Sequence, residues 1–250
     1  MSKTKSKLVV AWFSAGVSSF VATLLSKQAV DRIIYIDIND QHPDSLRFVK
    51  DCEEKLEKPI EIMKSHTYAS VDECIRSFGF IRNPYTMHYP CTSRLKKDVR
   101  KRFEAEHADH DITYIWGFDI DESQRIERLK ENMPEQKHVF PLLTCGVSKQ
   151  DAHAVCERIG IKRPTLYDIG YNNNNCLGCV KGGMGYWNKI RIDFPQVFEN
   201  RARLERDVGN SILSQCYLDE LDPDRGRMPD EIMQDCSIFC QITTAELNAE

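Results

Sequence analysis

The sequence predicts an α/β fold, a mostly parallel, twisted sheet with helices on both faces, joined to an irregular Cys-bearing segment and a helical C-terminal region. Three observations carry this. Short, nearly all-apolar runs alternate with stretches of helical period, as in sheets covered on both sides. The first run ends in a turn of small residues that leads directly into a helix. From Phe140 onward the alternation stops, and a segment rich in Asn, Gly and Cys takes its place.

Residues 8–13 (LVVAWF) read as the first strand, residues 14–19 (SAGVSS) as a tight turn, and residues 20–30 (FVATLLSKQAV) as a helix. A second strand, 33–38 (IIYIDI), breaks at NDQHPD and is followed by a helical SLRFVKDCEEKL. A short strand at 59–63, a helix around 68–78, a Lys- and Arg-rich helix from Ser93 to about His107, and a strand at 112–116 ending at Gly117 complete the alternating part. The turns after Phe13, Ile38 and Trp116 are expected to converge on one cleft at the carboxyl ends of the strands. The later segment RPTLYDIGYNNNNCLGCVKGGMGYW is expected to lie over that cleft, followed by a helical PQVFENRARLERDVGNSIL. This divides the chain into a nucleotide-binding α/β domain at 1–140 and a Cys-rich and helical region at 141–250.

A chain of 250 residues is long enough for one large domain with an appendage. Its net charge of −4, from 34 basic and 38 acidic residues, excludes a global attraction to nucleic acid or anionic membrane. No run approaches the roughly 18 apolar residues of a membrane helix, and no secretory signal is visible, so a cytoplasmic protein without a membrane partner is expected. Ten cysteines are then read as thiols, metal ligands or redox centres rather than as a disulfide framework. Cys52, Cys74 and Cys156 sit in amphipathic patterns and read as packing residues.

Two constellations carry chemistry. Ser14, Ala15 and Gly16 are small enough for backbone N–H groups to approach an anion, and the helix that begins near Val17, Ser18 and Ser19 adds its partial positive charge. The same residues are also good turn and cap formers. Cys176 and Cys179 stand two residues apart among turn-forming Asn and Gly; such a pair is a redox dithiol, half of a zinc site, or two ligands of an iron–sulfur cluster.

The run FSAGVSS resembles the SGGxDS signature of the PP-loop ATP pyrophosphatases and their relatives, the phosphoadenylylsulfate (PAPS) and adenylylsulfate (APS) reductases. IDINDQHPDSLRFVKD, PCTSRLKKDV, GFDIDESQRIERL and PTLYDIGYNNNNCLGC resemble that family's further segments in the same order, over residues 7–183. The resemblance implies a Rossmann-like fold of the adenine nucleotide alpha-hydrolase type that binds ATP or another adenine nucleotide. It places residues 14–19 and Gly117 at the phosphates, Asp37 and Asn39 beside the adenosine, and Glu122, Ser123, Arg94 and Arg125 near the phosphates or sulfate. Asp37 and Asn39 read equally as turn starters, and Glu122 as an ordinary residue of a helix start.

There are two departures from the family pattern. Ser18 replaces the Asp that would serve magnesium, and Asp119 replaces an Arg. The resemblance also brings Cys91 toward Cys176 and Cys179, with Lys181, Arg94 and Lys96 near an anionic thiolate cluster. Cys91, Cys176 and Cys179 are thus the candidate catalytic and metal-ligating residues, for a four-iron cluster or alternatively zinc. A fourth thiol would be Cys145, Cys216, Cys236 or Cys240, or one iron stays open; Cys236 and Cys240 read equally as residues of an amphipathic terminal helix.

Three functions follow: ATP-dependent activation coupled to sulfur transfer, PAPS or APS reduction to sulfite, or nucleotide binding without catalysis. The partners implied are a nucleotide or nucleic-acid acceptor, reached through the five basic residues of 96–103, a thioredoxin-like reductant or a sulfur donor, and a second copy of the chain. The tail DCSIFCQITTAELNAE lacks the ECGLH-like end of the reductases, which favours sulfur transfer.

Overall fold

A computed structural model describes residues 5–86 and 88–228. Among them β1 (Ser6–Phe13), β2 (Arg32–Ile36), β3 (Ile60–Met63), β4 (His110–Ile115) and β5 (Lys137–Val139) form one sheet in the order β3-β2-β1-β4-β5. The strand pairings are parallel, with Val10 opposite Arg32 on one side and Tyr114 on the other. β1 is therefore central, and Val10, Ala11, Trp12 and Phe13 are buried, which explains its unbroken apolar run. The chain moves outward from β1 to β3, then returns to β4 on the opposite side of β1. That reversal puts the topological switch point between β1 and β4.

The helices are α1 (Val17–Leu25), α2 (Asp44–Leu56), α3 (Val71–Phe78), α4 (Pro90–Thr92), α5 (Asp98–Glu106), α6 (Ser123–Asn132), α7 (Pro141–Thr144), α8 (Lys149–Arg158), α9 (Thr165–Asp168), α10 (Met184–Asp193) and α11 (Pro195–Val208). The single basic helix expected from Ser93 instead begins at Pro90, where proline's fixed φ suits a first turn, and passes through a π-helical stretch, Ser93–Lys97. β5 escaped the sequence reading because its three residues, KHV, have no apolar run.

The chain forms two compact units interleaved in sequence. One comprises the residues through Asp37, Pro43–Met63 and Val99–Asn174; the other comprises Ile38–His42, Lys64–Asp98 and the residues from Asn175. The first unit holds the sheet and a core of Phe13, Phe20, Tyr35, Phe48, Cys52 and Cys156. Cys52 and Cys156 are 0% and 1% exposed, so the packing role expected of them holds. The second unit is built on α3, α4, α10 and α11 around Ile75, Leu95, Trp187, Ile190 and Leu204. Among the described residues no helix is long and apolar enough to cross a membrane.

Candidate functional site

In the first unit, β1 delivers the chain into residues 14–19. Ala15 is fully buried with φ 57°, a left-handed conformation that a non-glycine residue adopts only when its surroundings enforce it. The constraint comes from Asn174, whose side-chain amide donates to the Ala15 carbonyl at 2.8 Å and to Ser45 Oγ at 3.0 Å. Ser19 closes the turn: its hydroxyl donates to the Gly16 carbonyl at 2.8 Å and accepts from the Ser14 N–H at 3.2 Å. Gly16 is the N-cap of α1 with no side-chain cap, so the positive end of the helix lies at this turn. Val17 is part of the core, so its contribution to an anion site is its backbone.

Two neighbours shape this turn. A Cβ on Gly117 would lie 2.5 Å from Ser19 Cα and 2.7 Å from Ser19 N, so only glycine lets the end of β4 approach α1 at the switch point. The Tyr167 hydroxyl lies 3.1 Å from where a Gly16 Cβ would stand. Ser18, at the position where the family signature has Asp, is 2% exposed, and its Oγ has no hydrogen-bond partner among the described residues. A buried hydroxyl in that state costs about 1–3 kcal/mol, and a bound oxyanion would relieve it.

The segment after Gly117 is engaged locally. Asp119, 3% exposed, accepts from the Asp121 N–H at 3.1 Å, and Glu122 accepts from the Asp119 N–H at 3.2 Å, a reciprocal cap. Glu122 also pairs with Arg125, whose guanidinium sits 4.6 Å over the Phe118 ring. Ser123 opens α6. The Asp119 departure thus has a structural account as a helix cap. Asp37 belongs to this unit and donates its N–H to the Met63 carbonyl at 2.9 Å; Asn39 belongs to the other unit and donates to Ala69 at 3.1 Å.

The second unit gathers the cysteines. Cys91, Cys176 and Cys179 line one cavity of about 20 Å³ together with Ile38, Val71, Leu95, Lys96 and Lys181. Cys176 and Cys179 are buried and Cys91 half-buried. The turn between the pair is held from four directions. Gly178 has φ 63°, and a Cβ there would lie 2.6 Å from Val197 Cγ1. The Cys179 N–H donates to Tyr186 Oη at 2.9 Å, and that hydroxyl donates to the Cys176 carbonyl at 3.3 Å. The Leu177 N–H donates to the Asp40 carbonyl at 2.7 Å, and Gln41 pairs with Cys176 in an antiparallel bridge. Arg201, 4% exposed, donates to the Gly178 carbonyl at 3.2 Å and pairs with Asp40.

Of the basic residues expected near the thiols, Lys96 and Lys181 line the cavity, with Lys181 4.8 Å over the Tyr89 ring. Arg94 instead pairs with Asp98 at 2.9 Å and covers Phe78. Along 96–103, Lys96 and Arg100 are each 8% exposed, Arg100 pairs with Glu104 at 2.5 Å and Arg102 with Glu106 at 3.8 Å, while Lys97 is half-buried and Lys101 exposed. Cys145 and Cys216 do not line the cavity, and Cys236 and Cys240 lie outside the described residues.

The donor chemistry fits a thiophilic metal or an iron–sulfur cluster, with thiols from two distant segments and two lysines on one cavity. Among the described residues no group of three or more His, Cys, Asp or Glu side chains is itself arranged to hold an ion. Asn174, Ser45, Tyr167, Asp40 and Arg201 went unnoticed in the sequence. Asn174 is one of four consecutive Asn, and Arg201 reads as one more charge on an amphipathic helix.

Residues 8–182 match the family described as the phosphoadenosine phosphosulfate reductase domain. An uncharacterized protein of Methanocaldococcus jannaschii is 23% identical over 214 residues, covering 82% of this chain and 42% of that protein. The chain therefore spans less than half the length of that relative. The crystal structure of phosphoadenylyl-sulfate (PAPS) reductase from Candida auris, in a phosphate complex, aligns with a TM-score of 0.49 and 15% identity over 67% of this chain and 80% of that one.

Proposed function

Because the chain belongs to the phosphoadenosine phosphosulfate reductase domain family, we propose that it is an adenine-nucleotide enzyme that couples ATP-dependent activation of an acceptor to sulfur transfer through Cys91, Cys176 and Cys179. The observation that carries the sulfur chemistry is the lining of one cavity by three thiols and two lysines. The turn at 14–19, at the N-terminus of α1 and with the buried Ser18 hydroxyl, is read as the phosphate cradle.

In this reading an acceptor oxygen attacks the α-phosphorus of ATP, pyrophosphate leaves, and the positive end of α1 stabilises the charge that accumulates on it. Lys96 and Lys181 bring two ammonium groups to the cavity that the cysteines line. A thiolate takes sulfane sulfur from a persulfide donor, which departs as its own thiolate; the resulting cysteine persulfide displaces AMP to give an enzyme–acceptor disulfide, a second cavity thiolate attacks its enzyme sulfur to release the thiolated acceptor, and a thioredoxin-like dithiol reduces the cysteine disulfide left behind. Cys91, Cys176 and Cys179 would be the ligands of an iron–sulfur cluster, or of zinc; a cluster would supply electrons and a soft Lewis-acid centre. The acceptor is a nucleotide or nucleic acid; in the run 96–103 Lys101 is the exposed basic residue that would meet it.

The family match also favours a second reading, reduction of PAPS or APS to sulfite. Calorimetric titration of the anaerobic protein with ATP and with PAPS separates the two. Tighter binding of ATP is the expected result; binding of PAPS alone would move the assignment to reduction, and binding of neither would remove the nucleotide site.

A further inference from the structure

We propose that Asn174 is a positioning residue of the nucleotide site: its side-chain amide holds Ala15 in the left-handed conformation that shapes the turn at 14–19, and nucleotide binding depends on that hold. The inference rests on the reading of this turn as the phosphate cradle, and it names a residue that no local pattern singles out among four consecutive Asn. Ala15 has φ 57° and is 0% exposed. Its Cβ disfavours that conformation, so the backbone returns to an ordinary one where nothing holds it. Asn174 Nδ2 donates to the Ala15 carbonyl at 2.8 Å, from 159 residues along the chain. A carbonyl only accepts, so the amide nitrogen has to face it. Oδ1 is then left buried, with no hydrogen-bond partner among the described residues. An apolar side chain would fill this place without that desolvation cost, so packing does not account for the amide, and what its donor does to Ala15 accounts for it.

Asn174 is itself anchored within the sheet unit. Its amide also donates to Ser45 Oγ at 3.0 Å, and Ser45, 1% exposed, lies in the first turn of α2. The neighbouring Asp44 accepts the Thr165 N–H at 2.8 Å. Arg47, one turn on, donates to the Lys162 and Arg163 carbonyls at 2.8 and 3.1 Å. The side chain of Asn173 accepts from Lys149 of α8. The chain from 162 to 174 is therefore fastened to α2 at both ends, by Arg47 and Asp44 at one and by Ser45 at the other, and this support carries the amide to Ala15. The other contacts of the turn act on its neighbours: Ser19 bonds Gly16 and Ser14, and Gly117 comes close to Ser19. Asn174 bonds the residue of the turn whose backbone is unfavourable.

The test is a double-mutant cycle on the full chain, purified anaerobically as wild type, Asn174→Ala, Ala15→Gly and the double variant, because glycine adopts the left-handed conformation without being held there. Asn174→Asp, which keeps the shape of the side chain and loses its donors, guards against a folding defect in Asn174→Ala, and circular dichroism confirms folding. Calorimetric titration measures ATP affinity. A second readout needs no ligand: the Ser14, Ser18 and Ser19 amide resonances of serine-labelled protein report the shape of the turn. Asn174→Ala is expected to lower ATP affinity about tenfold where residue 15 is alanine and less than about twofold in the Ala15→Gly background. The three serine resonances are expected to move in Asn174→Ala and Asn174→Asp, and Asn174→Ala is expected to leave them in place when Ala15→Gly is already present. An equal loss of affinity in both backgrounds would overturn the proposal, since the amide would then act on the ligand or on folding and not through Ala15. So would a folded Asn174→Ala with the affinity and serine resonances of the wild type. A wild type that binds neither ATP nor PAPS contradicts the nucleotide reading, and the resonances then still decide the hold on Ala15: displacement that Ala15→Gly suppresses upholds it, and unmoved resonances overturn it.

Discussion

Ser18 is the residue at which structure and chemistry separate most cleanly. Its hydroxyl is buried and has no hydrogen-bond partner among the described residues, so Ser18→Ala removes a desolvated dipole. We predict that the apo protein melts at the same or a higher temperature, while ATP affinity falls about tenfold for a lost hydrogen bond to a charged phosphate. A drop in apo stability without a change in affinity, read by calorimetry and thermal melts, would make Ser18 a packing residue. Gly117→Ala is the opposite case. Its Cβ meets the Ser19 backbone at 2.5 Å, so it should destabilise by about 1–3 kcal/mol and distort the turn, lowering ATP affinity together with stability. Unchanged binding by Gly117→Ala would show that the turn does not hold the phosphates.

At the scale of elements, α11 serves the thiol site from beyond residues 8–182. Arg201 is a buried cation holding Asp40 and Gly178, and removing one member of such a network costs about 3–5 kcal/mol. Arg201→Ala should unfold the second unit or leave Cys176 and Cys179 open to alkylation in the native protein; Arg201→Lys, which keeps the charge, should restore part of the protection. The same helix carries Glu205, fully buried, whose carboxylate accepts the Ile212 and Leu218 N–H groups. Burial pushes its pKa from 4.5 up to about 7. Its contribution to stability is complete below the unfolded value and is lost as pH rises toward about 7, a term on the order of 3 kcal/mol. The melting temperature should therefore fall between about pH 5 and 7 in the wild type and much less in Glu205→Gln, which mimics the protonated acid.

The elements also show what the sequence can disclose. β1 to β4 announce themselves as apolar runs because each is buried in a parallel sheet, and the turn after β1 is visible because only small residues fit it. β5 is invisible because its residues are polar and its place depends on pairing with β4. Asn174 and Arg201 act through partners over a hundred residues away, Ala15 and Asp40, and no local pattern marks such contacts. Cys74 reads as packing from its helical period, and it is 0% exposed.

The whole molecule combines two units that divide the chemistry. The sheet unit presents a helix N-terminus, a glycine-permitted approach at the switch point and a buried hydroxyl. The other unit presents thiols beside lysines on one small cavity of about 20 Å³. The units interleave because Ile38–His42 after β2 and Lys64–Asp98 after β3 belong to the thiol-bearing part, while the chain returns to the sheet unit at Val99, before β4. The most direct measurement quantifies AMP and pyrophosphate formed from ATP, and sulfite formed from PAPS, by the anaerobic chain. It is supplied with a persulfide donor, a thioredoxin-like reductant and a pool of cellular nucleotides and RNA as acceptors. We predict AMP and pyrophosphate in step with sulfur incorporated into the acceptor pool, with incorporation abolished in Cys176→Ser. Sulfite released from PAPS without ATP turnover would contradict the account.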